Sequence, residues 1–527
     1  MTRSQRLTLL ACILGSSTVF LDGTLVNVAL PSIRADLHGG LAMQQWIVDA
    51  YLLTLGSLLL VGGSLGDILG RRRVFAAGVS GFGVASLLCA AAPSAGLLIA
   101  ARALQGVAGA ALVPSTLALL MDTFTEHQRA AAIGSWTAWT GIATAGGPLA
   151  AGLLIELGSW RWIFVVNLPL VVATLRLLAH APRGEPAAAA PLDWIGAVLC
   201  ALGLAGPVFA LIEQPRYGWS DAHVWPALVI GCVLLVAFVA WERRSRSPML
   251  ELAMFRTRNF AVGNAATLLF YGALSVTTFF LVVFLQQVAG YSPLQSGLAL
   301  MPISIVTFAL ARRFGALADR IGPRLFMGAG PILAGVGLLL LLRVDARADY
   351  ASQLLPGIGL FALGLAMTVA PLTAAVLGAV DSGRSGVASG VNNAIARVAG
   401  LVAIAAVGAA VAGHFASSVD AKLSGSGAAA TPLRQAAGRP FVIDASAFAP
   451  SARPAVREAL VSASIDSYRL AITISGALAI AGGLLSLGGI SNRRRAVVAA
   501  HCAGGALVGA SSDLAVGHPA LAPPLAR

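Results

Sequence analysis

The sequence predicts an all-α integral membrane protein: two pseudo-symmetric six-helix bundles plus two inserted helices, fourteen transmembrane helices in all. Three observations predict it. Apolar residues make up 57% of the 527-residue chain and charged residues only 11%, too little charge to cover a water-facing surface. Fourteen segments approach the roughly 20 apolar residues that a helical span requires. A ten-residue pattern beginning at Gly63 also returns 252 residues later (63 to 315), and both copies read G-x-L-x-D-x-x-G-x-R. The first copy carries Gly63, Asp67, Gly70, Arg71 and Arg72; the second carries Gly315, Asp319, Gly322 and Arg324. A short basic loop repeated at that distance between apolar runs signals a duplicated bundle.

The spans follow in order. Six lie near 7–30, 44–63, 74–93, 96–120, 131–155 and 161–181, giving an N-terminal bundle over 1–181. An Ala/Pro-rich linker at 182–191 leads to two inserted spans near 193–212 and 222–241, and a basic loop completes the segment 182–259. Six more lie near 260–288, 294–311, 325–342, 352–380, 387–413 and 467–490, giving a C-terminal bundle over 260–490. The stretch 414–466 reads as a long outside loop, and 491–527 as a weakly ordered cytoplasmic tail. Arg3 and Arg6 precede an apolar run with no convincing cleavage site, so the first span reads as uncleaved.

Charge orients the spans. With the N-terminus inside, cytoplasmic segments hold twenty arginines and short outside loops hold five. That bias is the positive-inside pattern, and the Arg493–Arg495 cluster requires an even number of spans. Both termini are therefore expected in the cytoplasm. The net charge of +13 is topogenic arginine scattered over loops, which excludes a nucleic-acid partner. None of the five cysteines forms a C-x-x-C pair, so neither a disulfide framework nor a metal site is indicated. No G-x-x-x-x-G-K-[ST] loop appears. No cofactor is expected, and energy would have to come from a gradient.

Four spans carry groups that are costly in lipid. Asp22 lies in span one, Asp49 in span two and Arg102 in span four. An intramembrane charge costs about 2.5–3.5 kcal/mol on insertion scales and calls for a partner or a wet cavity. Helical rise places all three at about 8–12 Å below the outer surface, which suggests one shared site. Arg397 falls near mid-membrane in span thirteen and must face the bundle interior. Span five concentrates Gly141, Gly146, Gly147, Pro148 and Gly152, residues that permit close helix contact and a bend. Trp136, Trp139, Tyr51, Phe270, Tyr271 and Phe280 are candidate cavity aromatics suited to cations.

Several motifs occur in the order of a known family. They are Leu21–Pro31, Gly63–Arg73, Arg102–Gly106, Gly147-Pro148 with Gly152, Trp160–Pro169 and Leu285–Pro293. The chain thus resembles the major facilitator superfamily, and specifically its fourteen-span drug:proton antiporter branch, over about residues 7–490. Alanine stands at Ala143 and Ala151, where that branch usually has glycine. The resemblance implies proton-coupled efflux of hydrophobic, cationic small molecules from a bacterial inner membrane, by a monomer. Asn27, within the first motif, joins Asp22, Asp49, Arg102 and Arg397 as candidates for proton or substrate coupling; the resemblance leaves open whether Arg397 binds substrate anions, pairs with an acid or holds the two halves together. It further implies that Asp67 docks near the start of span thirteen, at Ser385-Gly386. Asp319 would dock in the same way near Arg129–Gly134, and together the contacts would close a cytoplasmic gate.

Overall fold

The computed structural model describes residues 1–180, 192–380, 385–423 and 435–492. The linker expected at 182–191 and most of the expected tail lie outside the described residues. The first six spans are α1 (Arg3–Leu37), α2 (Leu41–Leu69), α3 (Arg71–Ala91), α4 (Ala95–Thr123), α5 (Glu126–Glu156) and a broken pair, α6 (Trp162–Val165) with α7 (Asn167–Leu178). The inserted pair is α8 (Trp194–Tyr217) and α9 (Val224–Glu242). The last six are α10 (Arg258–Gln287), α11 (Pro293–Ile321), α12 (Pro323–Leu340), α13 (Leu355–Leu377), α14 (Ser385–Leu423) and α15 (Arg453–Gly489). Among the described residues thirteen helices are long and apolar enough to cross a membrane, and the shorter stretch Trp162–Leu178 accompanies them.

The duplication is visible in packing. In the first half α2 packs on α4, α3 on α4, α1 on α5, α1 on α7 and α3 on α7. In the second half α11 packs on α13, α12 on α13, α10 on α14, α10 on α15 and α12 on α15. Each pair in one list has its counterpart in the other. The contacts between halves obey the same symmetry, because α5 meets α11 and α14 meets α2.

The repeated loop is a turn that only glycine adopts freely. Gly70 has φ 94° and Gly322 has φ 108°, each at the junction of two helices. A side chain there would be strained. Each turn is then tied down by the last position of its motif. Arg72 donates to the carbonyl of Ala179 at 3.1 Å, beyond the end of α7. Arg324 donates to the carbonyl of Leu487 at 2.6 Å, near the end of α15. We call this end of the bundle the motif face and the other the far face.

The two faces differ. Toward the far face one apolar core runs through both halves and joins Leu25, Val28 and Leu30 to Val283, Leu285 and Val407. Toward the motif face there are two cores. One, around Phe75, Phe82 and Leu120, belongs to the first half; the other, around Phe260, Met327 and Val376, belongs to the second. The halves are joined at the far face and part toward the motif face. Burial of apolar side chains holds the joined end, whereas toward the motif face the two cores meet the other half through Leu60 of α2 and Ala394 of α14.

One expectation needs correction. The segment 414–466 is not one loop: α14 continues to Leu423, and α15 begins at Arg453. The helices project because Phe415, Val419 and Leu423 of α14 bury against Val456, Leu460 and Ala463 of α15. Phe441, from the connection between them, is fully buried and lies 6.1 Å from the Phe280 ring, adding cover at the far face.

Candidate functional site

Asp22 is fully buried inside the first half and is held from three directions. An Arg102 Nη lies 2.5 Å from one carboxylate oxygen. Gln105 Nε2 and Asn167 Nδ2 donate to the other at 3.0 and 3.1 Å. Both amides also reach Ser86 Oγ, at 2.9 and 3.3 Å. Arg102 donates its Nε to the carbonyl of Ile47 at 3.0 Å, and its guanidinium carbon lies 4.3 Å from the Tyr51 ring centroid. Helices α1, α2, α3, α4 and α7 thus converge on one acid–base pair. Such a pair is tolerable in a low dielectric only because nearly every donor and acceptor is matched. Charge-assisted bonds of this kind hold the Asp22 carboxyl in one position.

Asp49 does not belong to this cluster, contrary to the expectation of a three-charge site. Depth alone suggested the trio, but azimuth separates it. Ile47 and Tyr51 turn toward Arg102, whereas Gln45, Leu52 and Gly56 turn toward α14. Asp49 shares the latter stripe by helical spacing. It is fully buried, and neither carboxylate oxygen has a hydrogen-bond partner. Arg397 is also apart from the cluster. It is partly buried on α14, packs its stem near Gly56, and lies 5.7 Å from the Phe20 ring centroid of α1. Asn27 is partly buried, and its carbonyl oxygen has no partner.

The motif aspartates do not make the expected contacts across the halves. Asp67 pairs with Arg71 at 3.1 Å, within its own motif. Arg71 also pairs with Asp122 and donates to the carbonyl of Ala118 at 3.3 Å, both on α4. Asp319 is exposed and has no partner among the described residues. Residues 381–384 and the Ser385 side chain lie outside the described set.

Span five divides at Pro148. Added side-chain carbons at Gly147 and Gly152 would run into Thr24 of α1 and Leu294 of α11. At Gly141 and Gly146 they would meet open space, so these two are not the packing residues expected. Glu156, at the end of α5, accepts from the Ser292 hydroxyl and from the Leu294 amide at 3.3 Å, across the halves at the start of α11. The α5–α11 contact is therefore a far-face contact.

The aromatics also separate. Phe270 and Phe280 are buried in the second half and do not line a cleft, while Tyr51 is consumed by the Arg102 cluster. Trp136 donates to Ser16 Oγ at 3.0 Å and is partly exposed, as is Tyr271; Trp139 is exposed. Gln105, Asn167 and Ser86 are the functional residues that sequence reasoning missed. Gln105 and Asn167 stood inside recognised motifs as amides in apolar runs, the signal that could have found them. At the far face the amide of Arg347 holds Asp345 below the usual carboxylate range, and the Ser352 hydroxyl does the same for Asp349. Both stay ionised in water at neutral pH.

The model of the Major Facilitator Superfamily matches residues 12–404. The chain belongs to the Major Facilitator Superfamily. Within the superfamily it is 36% identical to multidrug resistance protein Stp of Mycobacterium tuberculosis, over 80% of this chain and 79% of that protein. It is 31% identical to the tetracenomycin C resistance and export protein of Streptomyces glaucescens, over 91% and 90%. Among solved structures it resembles an inward-facing bacterial homologue of the lysosomal transporter Spinster. The TM-score is 0.64 at 15% identity, covering 94% of this chain and all of that one. This last likeness concerns the superfamily fold alone.

Proposed function

We propose that this protein exports hydrophobic, cationic drugs or antibiotics across a bacterial cytoplasmic membrane in exchange for protons. The observation that carries the reading is the match to a multidrug resistance protein along about four-fifths of both chains. The motif face is cytoplasmic in this reading, as the arginine bias supports. The halves, parted at the motif face and joined at the far face, then represent the state that receives substrate from the cell interior.

The physical cycle follows from the two cores. Closing the motif face would bring Asp67 toward α14 and Asp319 toward α5, while parting the far face would break the Glu156 contact and the shared core. The Asp22–Arg102 cluster, drawn from five helices, keeps the first half rigid as it rocks. A monovalent cation exchanged one for one with a proton moves no net charge, so the pH difference drives the exchange, about 1.4 kcal/mol per unit. No cofactor enters this scheme.

Relatives named for export of single natural products, such as the tetracenomycin C protein, favour a second reading: an exporter dedicated to one compound. Cells expressing the chain should expel ethidium, and an uncoupler should abolish that efflux. Retention of ethidium at the level of empty cells would exclude the broad drug reading, and efflux indifferent to the uncoupler would exclude proton coupling.

A further inference from the structure

The sequence leaves open which acid carries the proton, and the seam between α2 and α14 bears on it. Residues 45, 49, 52, 56 and 60 form one stripe of α2. Gln45 donates to the carbonyl of Ile404 at 2.8 Å, Leu52 and Gly56 approach Gly400 and Arg397, and Leu60 approaches Gly390. Asp49 lies inside this contact. On the lipid side α8 covers the same region, where Leu204, Val208 and Ile212 pack with Leu401, Ala405 and Trp46. This covering gives the inserted pair a structural task that its sequence did not disclose.

No compensating charge reaches Asp49. Asp22 and Arg102, of α1 and α4, are consumed by each other on the opposite side of α2. Glu213 of α8 accepts from the Trp46 indole at 2.8 Å. Tyr271 of α10 is uncharged. Arg397 of α14 sits two turns along the seam from Asp49, about 10 Å by helical rise. It has no hydrogen-bond or ion-pair partner among the described residues. A carboxylate stripped of water and donors is so unfavourable that it takes up a proton instead.

We propose that Asp49 is the proton carrier of the exchange: it enters the closed α2–α14 seam only as the neutral acid, whereas Asp22 stays paired with Arg102. Parting the far face opens the seam, and Asp49 meets outside water and takes a proton from it. Closing the seam then brings that proton in. Arg397, unpartnered toward the motif face, is the countercharge available to the carboxylate when the proton leaves to the cell interior. This assignment rests on the exchange reading above and names the group responsible for it.

The test uses full-length protein in liposomes with ethidium. A one-unit pH gradient supports about a tenfold accumulation per proton exchanged. The wild type should reach it. Asp49→Asn, neutral at every pH, should lose this tenfold accumulation yet still equilibrate ethidium downhill, at a rate that no longer varies with pH. Asp49→Glu should restore accumulation with a displaced pH profile, which separates loss of the proton from misfolding. Asp22→Asn should impair downhill and uphill movement together. Accumulation by Asp49→Asn, or a wild-type pH profile in it, would overturn the assignment while leaving proton exchange intact. Absence of gradient-driven accumulation in the wild type would instead remove the exchange reading itself.

Discussion

The two copies of the G-x-L-x-D-x-x-G-x-R turn do one thing alike and one thing differently. Both turn through a positive-φ glycine, and both use the final arginine to bind a carbonyl near the end of the sixth helix of their half. The first copy carries a charge network, Asp67–Arg71–Asp122. In the second, proline replaces the arginine at Pro323, and alanine stands at Ala374 where α4 has Asp122 (122 + 252 = 374). The shared part is architecture inherited by both halves. The unshared part is specialisation, and it parallels the interiors. The first half holds a buried acid–base pair between α1 and α4, whereas the second half has a neutral contact between α10 and α14: Asn392 donates to Asn264 and Thr267 at 3.0 and 2.8 Å.

The largest expected effect tests the interiors. Arg102→Ala leaves Asp22 buried without its cation, and thermal unfolding in detergent should show a loss of about 3–5 kcal/mol. Asn392→Ala in the neutral half should cost only about 0.6–1.7 kcal/mol. Equal losses would remove the distinction between charged and neutral halves. Next come the turns. Gly70→Val and Gly322→Val should each cost about 1–3 kcal/mol, and by similar amounts, because the same backbone conformation is strained in both. A large difference between them would show that the duplicated turns are not equivalent. Smallest is Asp319→Asn, expected to change stability by less than about 0.5 kcal/mol because the side chain is exposed and unpartnered. Its ethidium transport rate sharpens the comparison. Slower transport at unchanged stability would mean that Asp319 docks when the motif face closes, and an unchanged rate would leave the gate to Asp67 alone.

Much of this was readable from the chain. The spans, their duplication and the cost of Asp22 and Arg102 in lipid follow from composition, length and spacing. The pairing of Asp22 with Arg102 was suggested by depth, yet depth is a one-dimensional coordinate. It could not tell that Asp49 at similar depth points away from them, because azimuth matters only once a neighbour is fixed on each side. The gate contacts of Asp67 and Asp319 were misplaced for a different reason. In the proposed cycle they would form when the motif face closes, and a sequence encodes every state of a moving molecule without marking which one is populated. Gly141 and Gly152 look alike in sequence, but only the second has α11 against it.

The sequence by itself determined the solvent, the number of spans, the internal repeat and the positions where glycine or buried charge is required. These depend on local properties: apolar length, backbone conformation and the cost of a charge in lipid. Tertiary structure alone decided which charges meet, which end of the bundle is joined, and that Asp49 is enclosed in a seam between halves with α8 behind it. Those outcomes depend on how fourteen cylinders are rotated and tilted against one another, and that orientation is fixed by the summed packing of all of them rather than by any single segment.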